Sequence, residues 1–362
     1  MRLNGLNALS AATNGLNRYT TILDEAWQAH LAKRKLNAPT VISIFAGAGG
    51  SSLGYSMAGY QELLAVEWDN NAVETFKLNF PNIPVYHSDI VGLSIEKCLQ
   101  LAKIESGELD VLDGSPPCQG FSIAGKRIIN DPRNQLFHEY TRLLCGLRPK
   151  VFVMENVSGM IKGKMKLIFA EVIRELKASN YQVSARLMNT IYFNVPQLRQ
   201  RIIFIGVRED LEIKPSHPKA ESRVITYQDA TKSIIGLSPN RKIIKQERYK
   251  NAKEGQPLYS TYTYSYRRLS RWKPSGTITK GSHQIHPVED RELNGRELAR
   301  LSSYPDTFQF LGGHQDWVDR IGNSVPPLFM RAIAQHIRTE ILERIEHGET
   351  KHKARGIVKA AR

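Results

Sequence analysis

Cysteine is scarce in this chain: of 362 residues only Cys98, Cys118 and Cys145 are cysteines, and no two stand in a CxxC pair. That excludes a disulfide scaffold and a cysteine-built metal cluster, so no metal is expected and a reduced, cytoplasmic setting is. Long apolar runs are missing too, which excludes a membrane span. The opening MRLNGLNALSAATNG lacks the continuous apolar stretch of a secretory signal. Acidic residues are outnumbered, 35 Asp and Glu against 50 Lys and Arg, for a formal charge of +15 and an isoelectric point near 9.7. Such an imbalance favours a polyanionic partner, with nucleic acid foremost.

What is present is ordered. Residues 1–38 read as an appendage carrying one amphipathic helix. Ile22, Leu23, Ala26, Trp27, His30 and Leu31 recur at helical spacing, and Lys33, Arg34 and Lys35 follow. From Thr40 short apolar runs alternate with helical stretches. The runs are Val41–Phe45, Glu62–Val66, Ile83–Tyr86, Leu109–Leu112, Val151–Met154, Val183–Leu187 and Arg201–Val207. The helical stretches include Asn70–Phe80, Ile95–Ile104, Asn134–Leu147 and Met165–Ser179. This alternation predicts an α/β fold with a doubly wound, mostly parallel sheet.

The texture changes after Arg208. Between Ser222 and Ser282 there are 13 Lys or Arg against three acids, and Tyr249, Tyr259, Tyr262, Tyr264, Tyr266 and Trp272 interleave them. Basic residues mixed with aromatics suit phosphate and base contacts. Helical character returns at Arg296–Leu301 and at Pro327–Glu346, before a basic tail. Five parts follow: residues 1–38, a sheet domain at 39–208, a smaller basic domain at 209–290, a returning part at 291–346 and a tail at 347–362.

The first strand runs into Ala46-Gly-Ala-Gly-Gly-Ser-Ser-Leu-Gly54. Glycines at a strand-to-helix turn let backbone approach a ligand. The third glycine of a dinucleotide fingerprint is lacking, however, because Ser52 occupies its place, which weakens a nicotinamide-dinucleotide oxidoreductase reading. Glu67 ends the second strand where a ribose-binding carboxylate belongs, Trp68 beside it can lie on an adenine ring, and Asp89 ends the third strand. Together they suit an adenosine-containing cofactor without a pyrophosphate. Cys118 lies in Asp113-Gly-Ser-Pro-Pro-Cys-Gln-Gly-Phe-Ser122, just beyond a strand that Gly114 and two prolines terminate. A thiol fixed at that sheet edge is a candidate nucleophile.

From Val41 to Ile337 the landmarks resemble the S-adenosylmethionine-dependent DNA (cytosine-5) methyltransferases of bacterial restriction–modification type. They are Phe45-x-Gly-x-Gly-Gly, Glu67-Trp-Asp, Asp89-Ile, Pro116-Pro-Cys-Gln-Gly-Phe-Ser122, Glu155-Asn-Val157, Gln197-Leu-Arg-Gln-Arg201, Arg296-Glu…Pro305-Asp and Gly322-Asn-Ser-Val-Pro326. Two departures are Arg320, where family members often carry Gln, and a looser match over Leu298–Asp306. The resemblance implies a Rossmann-like methyltransferase sheet with residues 209–290 as target-recognition domain. It implies S-adenosyl-L-methionine as cofactor, held by Phe45, Gly47, Gly49, Glu67, Trp68, Asp89, Ile90, Pro117 and Asn323. It also implies a mobile loop from Gln119 to about Arg133. The partner it implies is double-stranded DNA, with a nucleoid-associated monomer and, where one exists, a cognate restriction endonuclease acting separately. A tRNA substrate is the alternative within the same chemistry.

By the same resemblance the catalytic residues are Cys118, Glu155, Arg199 and Arg201. Carbon 5 of cytosine is a poor nucleophile until a thiolate adds at carbon 6, which Cys118 would supply. Glu155 would hold the ring at N3 and its amino group. Arg199 and Arg201, two apart and so on one side of an extended chain, would stabilise the thiolate and the base's O2. Asn156 is expected to fix a turn.

Overall fold

The computed structural model describes residues 4–117, 132–163, 165–220, 223–234, 252–257, 266–281 and 283–348, without the side chains at 4–17, 132–134, 266 and 283. Helix α1 (Asn4–Leu31) precedes the sheet, whose strands are β1 (Thr40–Ile44), β2 (Gln61–Glu67), β3 (Val85–His87), β4 (Val111–Gly114), β5 (Val151–Val157), β6 (Tyr181–Asn189) and β7 (Gln200–Arg208). Helices α2 (Gly50–Met57), α3 (Asn70–Asn79), α4 (Ile95–Ala102), α5 (Pro132–Leu147) and α6 (Met165–Ala178) connect them. The order is β3-β2-β1-β4-β5-β7-β6. The first five strands run parallel, and β7 is antiparallel to both β5 and β6. All seven apolar runs are strands, as expected. The direction of β7 carries no mark in its composition, because a strand buried on both faces has the same apolar run either way.

Successive strand residues alternate between two cores. Val41, Val151 and Val153 face one that takes in α2, α3, the helix Pro327–Ile337 and α1. Ile42, Ile44, Phe152 and Met154 face another, filled from α4, α5 and α6. Helices thus cover both faces, the doubly wound arrangement. Each fully buried Ile or Phe contributes about 1.5–3 kcal/mol.

Helix α1 docks through Tyr19, Leu23 and Ala26, all buried, and the Tyr19 hydroxyl donates to the Arg300 carbonyl at 2.5 Å. Leu31, expected on the docked face, is 59% exposed, because the face is spent by His30, whose ring meets Ser56 Oγ at 2.7 Å. No described helix is long and apolar enough to cross a membrane. Beyond β7, Tyr266–Arg268 and His283–Ile285 pair as a separate two-stranded parallel sheet.

Candidate active site

The chain leaves β1 to build β2 and β3 on one side, then crosses back to build β4 and β5 on the other. Crossover helices diverge at such a reversal and leave a crevice outside the carboxyl ends of the strands. A cleft of about 770 Å³ opens there, walled by the loops after β1 to β5, the start of β7 and the helix His314–Asn323.

The loop after β1 turns through Phe45 at φ 57° and Gly47 at φ 56°, both left-handed. A phenylalanine in that region is strained, as residues at ligand clamps often are. A Cβ added at Gly47 would meet nothing within 4 Å, so the glycine supplies the backbone angle and leaves the space before the loop open. Gly49 does not line the cleft. At φ 93° an added Cβ would meet Phe80 Cε2 at 2.5 Å, so this glycine serves the packing of the loop on the end of α3.

Glu67 does more than end β2. Its Oε2 accepts from the Gly47 N–H at 2.8 Å, and its Oε1 accepts from the Trp68 and Asp69 N–H groups at 2.9 and 3.0 Å. The carboxylate therefore ties the glycine loop to the second strand. A carboxylate offers about four acceptor positions, so one remains. Trp68 lines the cleft with 73% of its surface exposed. Asp89 caps the turn after β3, accepting from the Val91 N–H at 3.0 Å, and Ile90 is buried against the second core while lining the cleft.

Pro116 and Pro117 follow β4 and line the cleft. Asn156 Nδ2 donates to the Pro116 carbonyl at 3.2 Å, which joins the loops after β4 and β5 and matches the expected turn-fixing role. Cys118, the expected nucleophile, lies outside the described residues, as does the expected closing loop up to residue 131; α5 begins at Pro132.

Glu155, 8% exposed, lines the cleft at the end of β5. Arg201 Nε stands 2.5 Å from Glu155 Oε1, an ion pair without hydrogen-bond alignment. Strand pairing explains the meeting, since Arg201 on β7 is the register partner of Val157 and lies two residues along from Glu155's level. Arg199 lines the same cleft but is held otherwise. Its Nη1 donates to the Ile278 carbonyl at 2.8 Å and to the Gly322 carbonyl at 3.1 Å, and Nη2 reaches Gly322 as well. Burial and the neighbouring Arg201 push its guanidinium down to about 9, still cationic at neutral pH. The two arginines thus share a cleft, as their spacing predicted, yet one meets a carboxylate and the other clamps backbone 79 and 123 residues away. Asn323, exposed, lines the cleft from the last turn of its helix.

The model of the C-5 cytosine-specific DNA methylase family matches residues 39–339. This chain belongs to the C-5 cytosine-specific DNA methylases. It is similar to the type II methyltransferase M1.HphI of Haemophilus parahaemolyticus, 36% identical over 322 residues that cover 82% of this chain and 86% of the relative. It is also similar to the type II methyltransferase M.XorII of Xanthomonas oryzae pv. oryzae, 32% identical over 86% of this chain and 87% of that one. A crystal structure of a DNA modification methyltransferase encoded within an E. coli prophage superimposes with a TM-score of 0.71 at 26% identity, over 84% of this chain and 99% of the other. The Spodoptera frugiperda DNMT2 structure, at 18% identity and a TM-score of 0.64, shares the fold. The methyltransferase sheet and the restriction–modification type of the family stand as expected.

The cleft of this methylase also holds Asp113, Ser51 and Arg320, to which the sequence pattern assigns no role. Asp113 begins the Cys118 motif and is buried at 3% exposure. Ser51 follows the glycines. Arg320, noted only as a departure, pairs with Asp69 at 2.9 Å and so bridges the Gly322 motif to the turn after β2. An ionisable residue at the last position of a predicted strand beside a motif was the available signal for Asp113.

Proposed function

We propose that this methylase transfers a methyl group from S-adenosyl-L-methionine to carbon 5 of cytosine within one short duplex DNA sequence, after the base is extruded from the stack and Cys118 adds at carbon 6. The observation that carries the reading is the Glu155–Arg201 pair standing in the same switch-point cleft as Glu67, Trp68 and Pro117. Base-holding groups and cofactor-holding groups then share one cavity, which in-line transfer requires.

The cleft fits the cofactor by its donor set. Trp68 offers an exposed ring face for adenine, and Glu67 retains one acceptor position for a ribose hydroxyl. Asp89, Ile90 and Phe45 bound the nucleoside end, and Gly47, Pro117 and Asn323 the other walls. When bound, the cofactor supplies an electrophilic methyl carbon. The protein's own groups supply the rest. Cys118 as thiolate forms the bond to carbon 6, and the ring electrons move to carbon 5. Glu155 holds the N3 and amino edge, and Arg201 holds Glu155 in place and presents positive charge where the ring gains electron density. Arg199 fixes the segment that carries Arg201 to residues 278 and 322. Loss of the carbon 5 proton and expulsion of Cys118 restore the aromatic ring.

Base extrusion costs a few kcal/mol, which phosphate contacts offset. The basic part from 209 to 290 is proposed as the target-recognition domain. Its Trp272, 68% exposed with Arg271 5.8 Å over its ring, gives a stacking and charge-bearing surface of the kind nucleic acid takes. The chain is proposed to act as a monomer, independently of any cognate endonuclease. Expression in a host lacking DNA methylation, followed by base-resolution mapping, is expected to find 5-methylcytosine at one short motif. Methylation of tRNA but not of duplex DNA in parallel assays would refute the DNA reading.

A further inference from the structure

The carboxyl ends of the parallel strands present a row of acids across the cleft: Asp89 after β3, Glu67 on β2, Asp113 on β4 and Glu155 on β5. Three have partners or exposure that account for them. Asp89 caps a turn, Glu67 accepts three backbone N–H groups, and Glu155 meets Arg201. Asp113 differs. It is 3% exposed, and its Oδ1 takes only a long 3.4 Å contact from the Tyr55 hydroxyl. The Ser51 hydroxyl beside it is its other polar neighbour, buried and lining the same cleft. Among the described residues no Lys or Arg acts on Asp113; the charge felt most is the like charge of Glu155. Burial pushes this carboxyl up to about 7, so without a ligand the unmatched charge is relieved in part by protonation, and a ligand that brings a cation would favour the carboxylate.

We propose that Asp113, with Ser51 beside it, is the receptor for the α-ammonium group of the cofactor's amino-acid end. The inference rests on the S-adenosylmethionine reading of the cleft and adds a residue to it. Strand order supplies the argument for which end. Adenine and ribose are assigned to β3 and β2 through Asp89, Glu67 and Trp68, and the reacting base to β5 through Glu155. The sulfur must lie between them, and the amino-acid arm that branches from it has β1 and β4 left, where Gly50, Ser51 and Asp113 stand. An ammonium offers three donors, enough for the Asp113 carboxylate and the Ser51 oxygen together. The sulfonium carries charge but has no hydrogen to donate to either group.

The test is a binding cycle on the apo protein, read by Trp fluorescence or calorimetry rather than turnover. The probes are S-adenosylhomocysteine and its analogue lacking the α-amino group, each titrated into wild type, Asp113→Asn and Ser51→Ala. Wild type is expected to prefer the amino compound by on the order of 10- to 100-fold, the range of a charge-assisted hydrogen bond. Asp113→Asn should lose that preference while binding the deaminated analogue as wild type does; Ser51→Ala should lose a smaller part of it. Unfolding of each apo variant guards against a folding artefact, and Asp113→Asn should unfold no more easily than wild type. An undiminished preference in Asp113→Asn, or equal weakening of both probes, overturns the ammonium assignment and leaves the cofactor reading intact. Failure of wild type to bind either probe overturns both.

Discussion

The floor beneath the glycine loop and the region beyond residue 260 hold buried ionisable groups in opposite ways. Beneath the glycine loop the sheet holds two acids, half-buried Glu62 with its carboxyl enclosed and buried Asp113, with hydroxyls as partners and no cation acting on them among the described residues. The later region buries arginines, each matched. Arg268 meets the His286 and Glu289 carbonyls at 3.1 Å and Asp290 at 2.6 Å. Arg291 makes a two-armed pair with Glu297 at 2.7 and 2.8 Å, and Arg300 meets Asp306 and the Ala230 carbonyl. Matched buried charge fixes one arrangement of loops that have little apolar pattern of their own. Unmatched buried charge at a cleft marks where a ligand is to bind.

The largest expected effect comes from unmatching a pair. Arg291→Ala leaves Glu297 buried without its arginine, held only by the Tyr227 hydroxyl and the Asn294 N–H with His286 nearby, and should lower unfolding free energy by about 3 kcal/mol in urea titrations. Replacing both members by apolar residues of similar volume should recover most of that loss. An Arg291→Ala effect under about 1 kcal/mol would mean that the pair is incidental.

The unmatched acids predict a dependence on pH. Burial pushes Glu62 from 4.5 up to about 8, against the opposing bonds from Ser43 and Ser52. Below 4.5 both states hold the proton. Between 4.5 and about 8 only the folded state does, so stability falls as pH rises through that window. Thermal unfolding from pH 5 to 8 should show a decline on the order of a few kcal/mol, and Glu62→Gln should flatten it. A curve unchanged in that variant would place the titration elsewhere.

Arg201→Ala should reduce methyl transfer by about 100-fold while binding of S-adenosylhomocysteine stays near wild type. Weakened cofactor binding in this variant would assign Arg201 to the other half of the cleft. The smallest effect is expected from Arg320→Gln. Its partner Asp69 is partly exposed, so loss of that pair should cost about 0.5 kcal/mol.

Much of the sheet was legible because its signal is local. Apolar runs such as VISI and VFVM specify strands whatever lies beside them, and glycines and prolines mark the edge where ligands gather. The helix His314–Asn323 carries little pattern of its own, because Trp317, Val318 and Ile321 are its only large apolar residues among ten and its last two residues belong to the Gly322 motif. Site residue types were legible, but their partners were not. Nothing in the sequence says that Glu67 would accept the Gly47 N–H, or that Arg199 would be claimed by two carbonyls while Arg201, two positions on, meets Glu155. Those outcomes depend on which chain segments meet, and the antiparallel entry of β7 decides it.

The covalent step is tested most directly by trapping. Duplex DNA carrying 5-fluorocytosine at the mapped target, incubated with enzyme and S-adenosylmethionine, cannot lose a proton from carbon 5 after transfer. The account predicts a denaturation-stable protein–DNA adduct whose mass maps to Cys118 and which Cys118→Ser does not form. Methylation of ordinary cytosine by the wild type with no such adduct on the fluorinated duplex would contradict it.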